Sequence, residues 1–358
     1  MVTINPMIIN GKEISPHSPV YFIADIASNH DGDLERAKKL IWLAKKAGAD
    51  AVKFQHFIAD KIVSDVGFKK FTRKISHQAN WNESVFEIYK KYECDRDWIP
   101  ELYETAMEAD IDFFSTPYDY EAVDILYHYV SAYKIGSGDI TWINFLEYIA
   151  NKEKPILIAT GSSTAEDVER AVQAIKKYNN QCAILQCNTN YTGLEENYKY
   201  INLNVLKYLS EKYPEVVLGL SDHTPGYVVV LGAITLGARI IEKHFTDDNK
   251  RTGPDHPFSL TPEVWENMVK DSRKIESALG NGVKIIEDNE TETVIIQRRC
   301  IRLDKNKNAG EIIQKEDLVM LRPAPEQSIP PYEVHNIIGK RLLTSKLKGE
   351  LITYSDIE

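Results

Sequence analysis

Between residue 19 and about residue 280 the chain repeats one pattern eight times: a short β-branched or aromatic run, then a segment with apolar residues at helical spacing. The runs start at "VYFIADIAS" (20–28) and continue through "AVKFQHF" (51–57), "IDFFSTP" (111–117), "AYKIGSG" (132–138), "PILIATG" (155–161), "CAILQCN" (182–188) and "VVLGLSDH" (216–223) to "RIIEKHF" (239–245). Alternation of this kind implies a parallel sheet, because parallel neighbours are joined only by long crossovers, usually helical. Eight units in this length favour closure into a (β/α)8 TIM barrel over an open doubly wound sheet. A polar insertion (58–97) is expected to form a loop with helical pieces over one face.

The pattern stops near residue 280. "NGVKIIEDNETET" (281–293) has few apolar anchors and reads as a linker, so the expected domains are 1–280, a barrel, and 294–358, a small β-rich tail. Within the tail "AGEIIQKEDL" (309–318) returns as "KGELITYSDI" (348–357), which predicts two related β-turn units. "RPAPEQSIPP" (322–331) cannot be regular helix, since proline removes a donor and fixes φ.

Lys+Arg 43 against Asp+Glu 53 gives a net charge of −10, which argues against nucleic acid or an anionic membrane as partner. A small anionic ligand needs only a local cluster of cations and stays open. No apolar run approaches the roughly 20 residues of a spanning helix, and the N-terminal stretch lacks the basic and hydrophobic regions of a signal peptide. Cys94, Cys182, Cys187 and Cys300 show no C-x-x-C spacing, so a reduced, cytoplasmic protein is expected and a zinc set of cysteines is unconvincing.

In a barrel the C-terminal strand ends share one mouth. Here nearly every such end carries a polar group: Asp25 and Asn29; Lys53 and Gln55; Ser115 and Thr116; Lys134, Ser137 and Asp139; Thr160; Asn188 and Thr189; Ser221 and His223; Glu242 and His244. Each alone could be a loop-edge hydrogen bonder. Together they would be costly to bury unless ligands compensate. His223 and His244 end neighbouring strands, whose axes lie ~4.8 Å apart, so both rings can reach one ion at ~2.1 Å. Two unrelated loop histidines would show the same spacing. Lys53 and Lys134, with Thr116 and Ser137, suit a phosphate or carboxylate. A strand-end lysine could instead form a Schiff base, as in a class I aldolase, and spacing leaves that alternative open.

"ADIASNHDGD", "AGADAVKFQHF", "FFSTPYD", "YKIGSGD", "GLSDHTPG", "IEKHF" and "GPDH", in this order, resemble the sialic acid synthase family, which includes N-acetylneuraminate, legionaminate and pseudaminate synthases. The tail resembles the antifreeze-like (SAF, β-clip) domain that follows the barrel in these enzymes, so the resemblance covers essentially the whole chain. It implies a transferase that condenses phosphoenolpyruvate with the open-chain aldehyde of an N-acylated amino sugar, giving a nine-carbon 2-keto-3-deoxy acid and phosphate for surface glycans.

By that resemblance Lys53, Thr116, Lys134 and Ser137 contact phosphoenolpyruvate, with Thr189 and Ser221 beside them. His223 and His244 would hold a divalent ion, Mn²⁺ or Mg²⁺. Gln55, Tyr191, Glu242 and Asp255 would contact or orient the sugar, and Arg322 would reach a sugar site from the tail. Asp25, Asp139 and Glu242 are the candidate catalytic carboxylates. Asp25 and Asp139 each stand where the family commonly has glutamate, and either could position or activate the water that adds to C2. The resemblance also implies a homodimer in which each tail caps the partner's barrel.

Departures bear on the acceptor. Ala159 stands where the family often has a serine. "LQCNTNYTG" (185–193) places Gln186 where relatives carry histidine, with Asn190 and Thr192 expected at the acceptor rim. A non-catalytic glycan- or ice-binding protein is the remaining alternative, but the tail's charged runs "QKEDLVMLRP" and "GKRLLTSKLKGE" do not suit a flat ice-binding face.

Overall fold

A computed structural model describes residues 6–71, 78 and 81–358. The chain divides into two compact units, Met1–Gly280 and Asn281–Glu358.

The first unit opens with a hairpin, β1 (Met7–Ile9) and β2 (Lys12–Ile14), paired antiparallel. Asn10 and Gly11 between them both have positive φ, at 47° and 76°, as a tight turn matched to strand twist requires. Eight parallel strands follow: β3 (Tyr21–Asp25), β4 (Ala51–His56), β5 (Asp112–Pro117), β6 (Ala132–Ile135), β7 (Ile156–Ala159), β8 (Cys182–Cys187), β9 (Val217–Asp222) and β10 (Ile240–His244). They close into a barrel with β10 paired to β3, as the alternation predicts. Helices start where expected: Thr164 caps Ala165–Lys176 through a capping box, and Pro262 opens Pro262–Leu279 at the first helical turn.

Alternation along each strand sorts the core into two parts. Phe22 and Ala24 join the large cluster between sheet and helices, while Tyr21 and Ile23 join the cluster inside the barrel. The interior series is apolar low in the barrel and polar at the top: Tyr21, Ile23, Asp25; Ala51, Lys53, Gln55; Ala132, Lys134; Ile240, Glu242, His244. Met7, Ile9 and Ile14 of the hairpin belong to this interior cluster, so the hairpin floors the barrel. Buried Asp112 fastens it, accepting from Asn10 Nδ2 (2.7 Å), Lys12 Nζ (3.0 Å) and Tyr21 OH (2.6 Å).

The insertion after β4 carries short helices at Ala59–Ile62, Asp65–Lys70 and Val85–Lys91. Residues 72–77 and 79–80 of the expected loop lie outside the described residues. Among the described residues no helix is long and apolar enough to cross a membrane.

In the second unit the segment expected as a linker carries a 3₁₀ turn (Asp288–Glu290) and opens a short helix (Thr291–Gln297). Beyond it β11 (Cys300–Leu303) pairs antiparallel with β12 (Leu318–Leu321) around a core that includes Ile301, Leu303, Ile313 and Ile352. The sequence repeat is repeated in three dimensions. Gln314 with Asp317, and Thr353 with Asp356, form equivalent capping boxes. Lys307 meets Asp317 at 2.6 Å as Lys346 meets Asp356 at 3.0 Å. The backbones of Lys307 and Lys346 exchange two hydrogen bonds of 2.9 Å.

Candidate active site

Strand register assembles the mouth. Asp25 is the register partner of both Lys53 and His244, and Glu242 is the partner of Ser221. The side chains follow. Lys53 Nζ donates to Asp25 Oδ2 at 2.7 Å and to Thr116 Oγ1 at 3.4 Å, and Gln55 Nε2 donates to the same Asp25 oxygen at 3.0 Å. Lys134 Nζ lies 3.2 Å from Glu242 Oε1, which also accepts from Ser221 Oγ at 2.9 Å. Lys53 lies 3.9 Å from Glu242 Oε2, and that oxygen is buried without a hydrogen-bond partner.

These contacts set the charges. Burial pushes the Glu242 carboxyl up, but Lys134 and Lys53 outweigh it and hold the group at about 2, so it is ionised at neutral pH. Burial by itself would lower the Lys53 ammonium; Asp25 and Glu242 more than compensate and raise it. A lysine held protonated is a poor nucleophile, which counts against the Schiff-base alternative. Asp139, half-buried beside the cavity, is different: burial pushes its carboxyl up to about 6 against the pull of Lys134.

His223 and His244 stand side by side, ring centroids 5.3 Å apart, with Tyr191 and Phe258 packed against both. His223 Nδ1 meets the Asn188 carbonyl at 3.0 Å. A carbonyl only accepts, so Nδ1 carries the hydrogen and Nε2 the lone pair. Burial and the neighbouring His244 hold the His223 imidazole down at about 4, keeping it neutral. His244 Nε2 faces Asp25 at 3.5 Å, while its Nδ1 is buried without a hydrogen-bond partner, 3.9 Å from Asp255. Two adjacent imidazoles, His223 with Nε2 free to offer its lone pair and His244 with an orphaned nitrogen beside Asp25 and Asp255, fit a divalent ion. Among the described residues no group of three or more such donors is arranged around one point, so the pair would leave coordination positions for water or substrate oxygen.

The remaining expected residues fall in three places. Ser137 Oγ, beyond β6, accepts from the Gly161 amide at 3.0 Å, and Thr189 Oγ1, beyond β8, bonds Ser162 Oγ, so both flank the loop after β7. Gly161 has no room for a side chain: a Cβ would sit 2.5 Å from Thr189 Cγ2 and 2.9 Å from Ser137 Oγ. Asp139, Tyr191, Gln55, His244 and Asp255 line a cavity of about 430 Å³. Arg322 lies in the second unit, exposed just after β12.

Several strand-end residues turn away from the mouth. Asn29 Nδ2 donates to Phe245 O and Ser259 Oγ; Ser115 Oγ bonds His56 Nδ1 and Phe54 O. Thr160 and Gln186 bond each other at 3.1 Å, and Gln186 Nε2 donates to Ile201 O. Gln186 therefore faces away from the mouth: in β8 it alternates with the inward residue Leu185. Asn190 Oδ1 accepts from Thr192 N, Thr192 Oγ1 and Asn197 Nδ2, so this pair shapes the loop that carries Tyr191.

Sequence reasoning missed Ser28, whose amide donates to Asp255 Oδ2 at 3.1 Å and whose hydroxyl bonds the same oxygen. It also missed the cavity's apolar wall, where Phe57 packs on Tyr89 and Tyr118, and Trp81 and Ile88 come from the insertion.

Fold and mouth together define a (β/α)8 barrel with a polar, ligand-sized mouth, followed by a small β-rich tail. The NeuB family model matches residues 40–284 and the SAF domain model residues 298–358, and the chain belongs to the NeuB family. It is 36% identical over 360 residues to the N,N'-diacetyllegionaminic acid synthase of Legionella pneumophila, covering 98% of each chain. It is 35% identical over 334 residues to that of Campylobacter jejuni, covering 92% of this chain and 98% of the other. Among solved structures it is similar to the N-acetylneuraminic acid (sialic acid) synthetase of Leptospira borgpetersenii in complex with citrate: TM-score 0.70, 29% identity, 81% of this chain and 95% of that one.

Proposed function

We propose that the protein condenses phosphoenolpyruvate with the open-chain aldehyde of an N-acylated amino sugar, releasing phosphate and a nine-carbon 2-keto-3-deoxy acid. The observation that carries this reading is Glu242 held between Lys53 and Lys134 in a buried mouth. Two ammonium groups fixed on one carboxylate form a preorganised seat for an anion of higher charge, and phosphoenolpyruvate carries both phosphate and carboxylate. Thr116, Ser137 and Ser221 add hydroxyls around it.

A divalent ion on His223 and His244 would supply a Lewis acid for the aldehyde oxygen. The chain's own groups do the rest. The lysines hold phosphate charge while the C–O bond breaks. Asp139, with its carboxyl near 6, is suited to take a proton from the water that adds to C2, and Asp25 keeps Lys53 charged and in place. Gln55, Tyr191 and Asp255 line the cavity where the sugar would lie.

Phosphoenolpyruvate contains no nitrogen, so both acetamido groups of a diacetylated product must arrive on the acceptor. The two legionaminic acid synthase relatives therefore favour a diacetamido sugar, and the Trp81–Ile88–Tyr89 wall suits its methyl groups. Phosphate release from phosphoenolpyruvate, assayed with N-acetylmannosamine and with diacetamido hexoses, tests both parts. No release with any amino sugar would reject the reading, and preference for N-acetylmannosamine would reject the acceptor.

The same reading extends to assembly: in a homodimer Arg322 of each tail would reach the partner's sugar site. Mixing Lys53→Ala and Arg322→Ala subunits should then restore about a quarter of wild-type activity, because half the dimers are hetero and each holds one intact site. No recovery after verified subunit exchange would reject the swap.

A further inference from the structure

A second buried lysine–carboxylate pair lies on the other face of β9 and β10, and the chemistry of the mouth does not use it. Asp222 and Lys243 immediately precede the two histidines and are register partners. Alternation turns Ser221 and Glu242 into the barrel and Asp222 and Lys243 toward the helix layer. Lys243 Nζ lies 2.6 Å from Asp222 Oδ2, with side-chain exposures of 1% and 0%. It also donates to Thr224 O at 2.8 Å. The Asp222 carboxylate accepts from Thr224 N at 3.1 Å and from Thr224 Oγ1 at 2.8 Å. Asp222, Thr224 and Lys243 thus form one closed set of bonds around the residue between the first two, which is His223.

A buried ion pair is weak evidence of a stabilising role, since apolar side chains of similar volume often do as well. What this set supplies is position. It ties β9 to β10 at their last register pair, just where the strands release the two imidazoles. The need differs between them. His223 has its own hydrogen bond to Asn188 O, whereas His244 Nδ1 has none, so the His244 ring is held by its backbone, by the 3.5 Å approach of Nε2 to Asp25 and by packing against Tyr191 and Phe258.

We propose that Asp222 and Lys243 are positioning residues for the divalent-ion site, clamping the strand ends so that His223 and His244 stay spaced to share one ion. This rests on the metal-dependent reading above. Metal-free protein titrated with Mn²⁺, followed by the electron paramagnetic resonance signal of the free ion, tests it on wild type, His223→Ala, Asp222→Asn and the double variant Asp222→Leu/Lys243→Met. The double variant replaces the pair with apolar groups and leaves no buried charge.

Wild type is expected to bind Mn²⁺ and His223→Ala to lose it. The double variant should bind at least tenfold more weakly, while its unfolding midpoint and the calorimetric binding of phosphoenolpyruvate to metal-free protein stay close to wild type. A folded double variant with Mn²⁺ affinity within twofold of wild type overturns the proposal and leaves the metal reading standing. A wild type that binds no Mn²⁺ overturns both. Should the double variant fail to fold, Asp222→Asn decides by the same titration: threefold or greater weakening supports the clamp, and unchanged affinity rejects it.

Discussion

The two faces of β9 and β10 hold similar chemistry in opposite states. Inside, Glu242 lies between two lysines with one oxygen lacking a hydrogen-bond partner. Outside, Lys243 and Asp222 are closed onto each other and onto Thr224. A satisfied polar network specifies a structure, while a buried group left short of partners is costly unless something else supplies them. The interior set is therefore arranged for a ligand, and the exterior set for the protein itself.

The largest expected effect concerns the proposed divalent ion. Exhaustive chelation should reduce phosphate release to background, and added Mn²⁺ should restore it, with the unfolding midpoint little changed because the histidines contribute little to the apolar cores. Full turnover in metal-free buffer would break the contrast at its root.

Next come the lysines, which should trade places in two assays. Lys134→Ala should lower kcat/KM for phosphoenolpyruvate by roughly a hundredfold or more, the loss of a charge-assisted bond in a water-poor site, while stability changes little because Lys53 still faces Glu242. Lys243→Ala leaves Asp222 charged and unpaired in the helix layer and should cost about 3–5 kcal/mol in denaturant unfolding. If both variants lose mainly stability, the mouth is an ordinary buried network.

A smaller effect concerns pH. Asp139 acting as base must be ionised, and burial raises its carboxyl to about 6, so kcat/KM should fall as pH drops through about 6. Asp139→Asn should lower activity roughly a hundredfold and flatten that limb. The smallest effect tests orientation: Gln186→His should change kcat/KM for any acceptor by no more than about threefold, as for a substitution away from the site. A larger change in acceptor preference would put Gln186 back at the rim.

Much of the fold was legible because its period is regular. Eight apolar runs separated by helical segments leave few options other than a closed barrel, and the tail repeat announced its paired caps at Asp317 and Asp356. The mouth was legible in composition but only partly in direction. Ser115, Thr160 and Gln186 lie in or just after strands and are polar, yet neighbouring residues in a strand face opposite ways and these face out, while Asn29 sits in the turn beyond β3 and bonds Phe245 and Ser259. Counting along each strand from its inward apolar residue, Phe114, Leu157 or Leu185, would have sorted the three strand residues. The Trp81–Tyr89 wall could not be read, because no periodicity ties an insertion to the barrel it covers. The floor was missed for a different reason: Asn10-Gly11 is a strong hairpin signal, but it precedes the repeating pattern.

That floor has a consequence for traffic. With Met7, Ile9 and Ile14 packed into the barrel and Asp112 fastening the hairpin beneath, the described residues close the lower end of the interior. Every molecule that enters the mouth must leave through it, in an order set by depth. Phosphate on the deep lysines would be the last to leave and would stand in the way of the next phosphoenolpyruvate, so inorganic phosphate should inhibit competitively with phosphoenolpyruvate and the pace of turnover should be governed at the doorway.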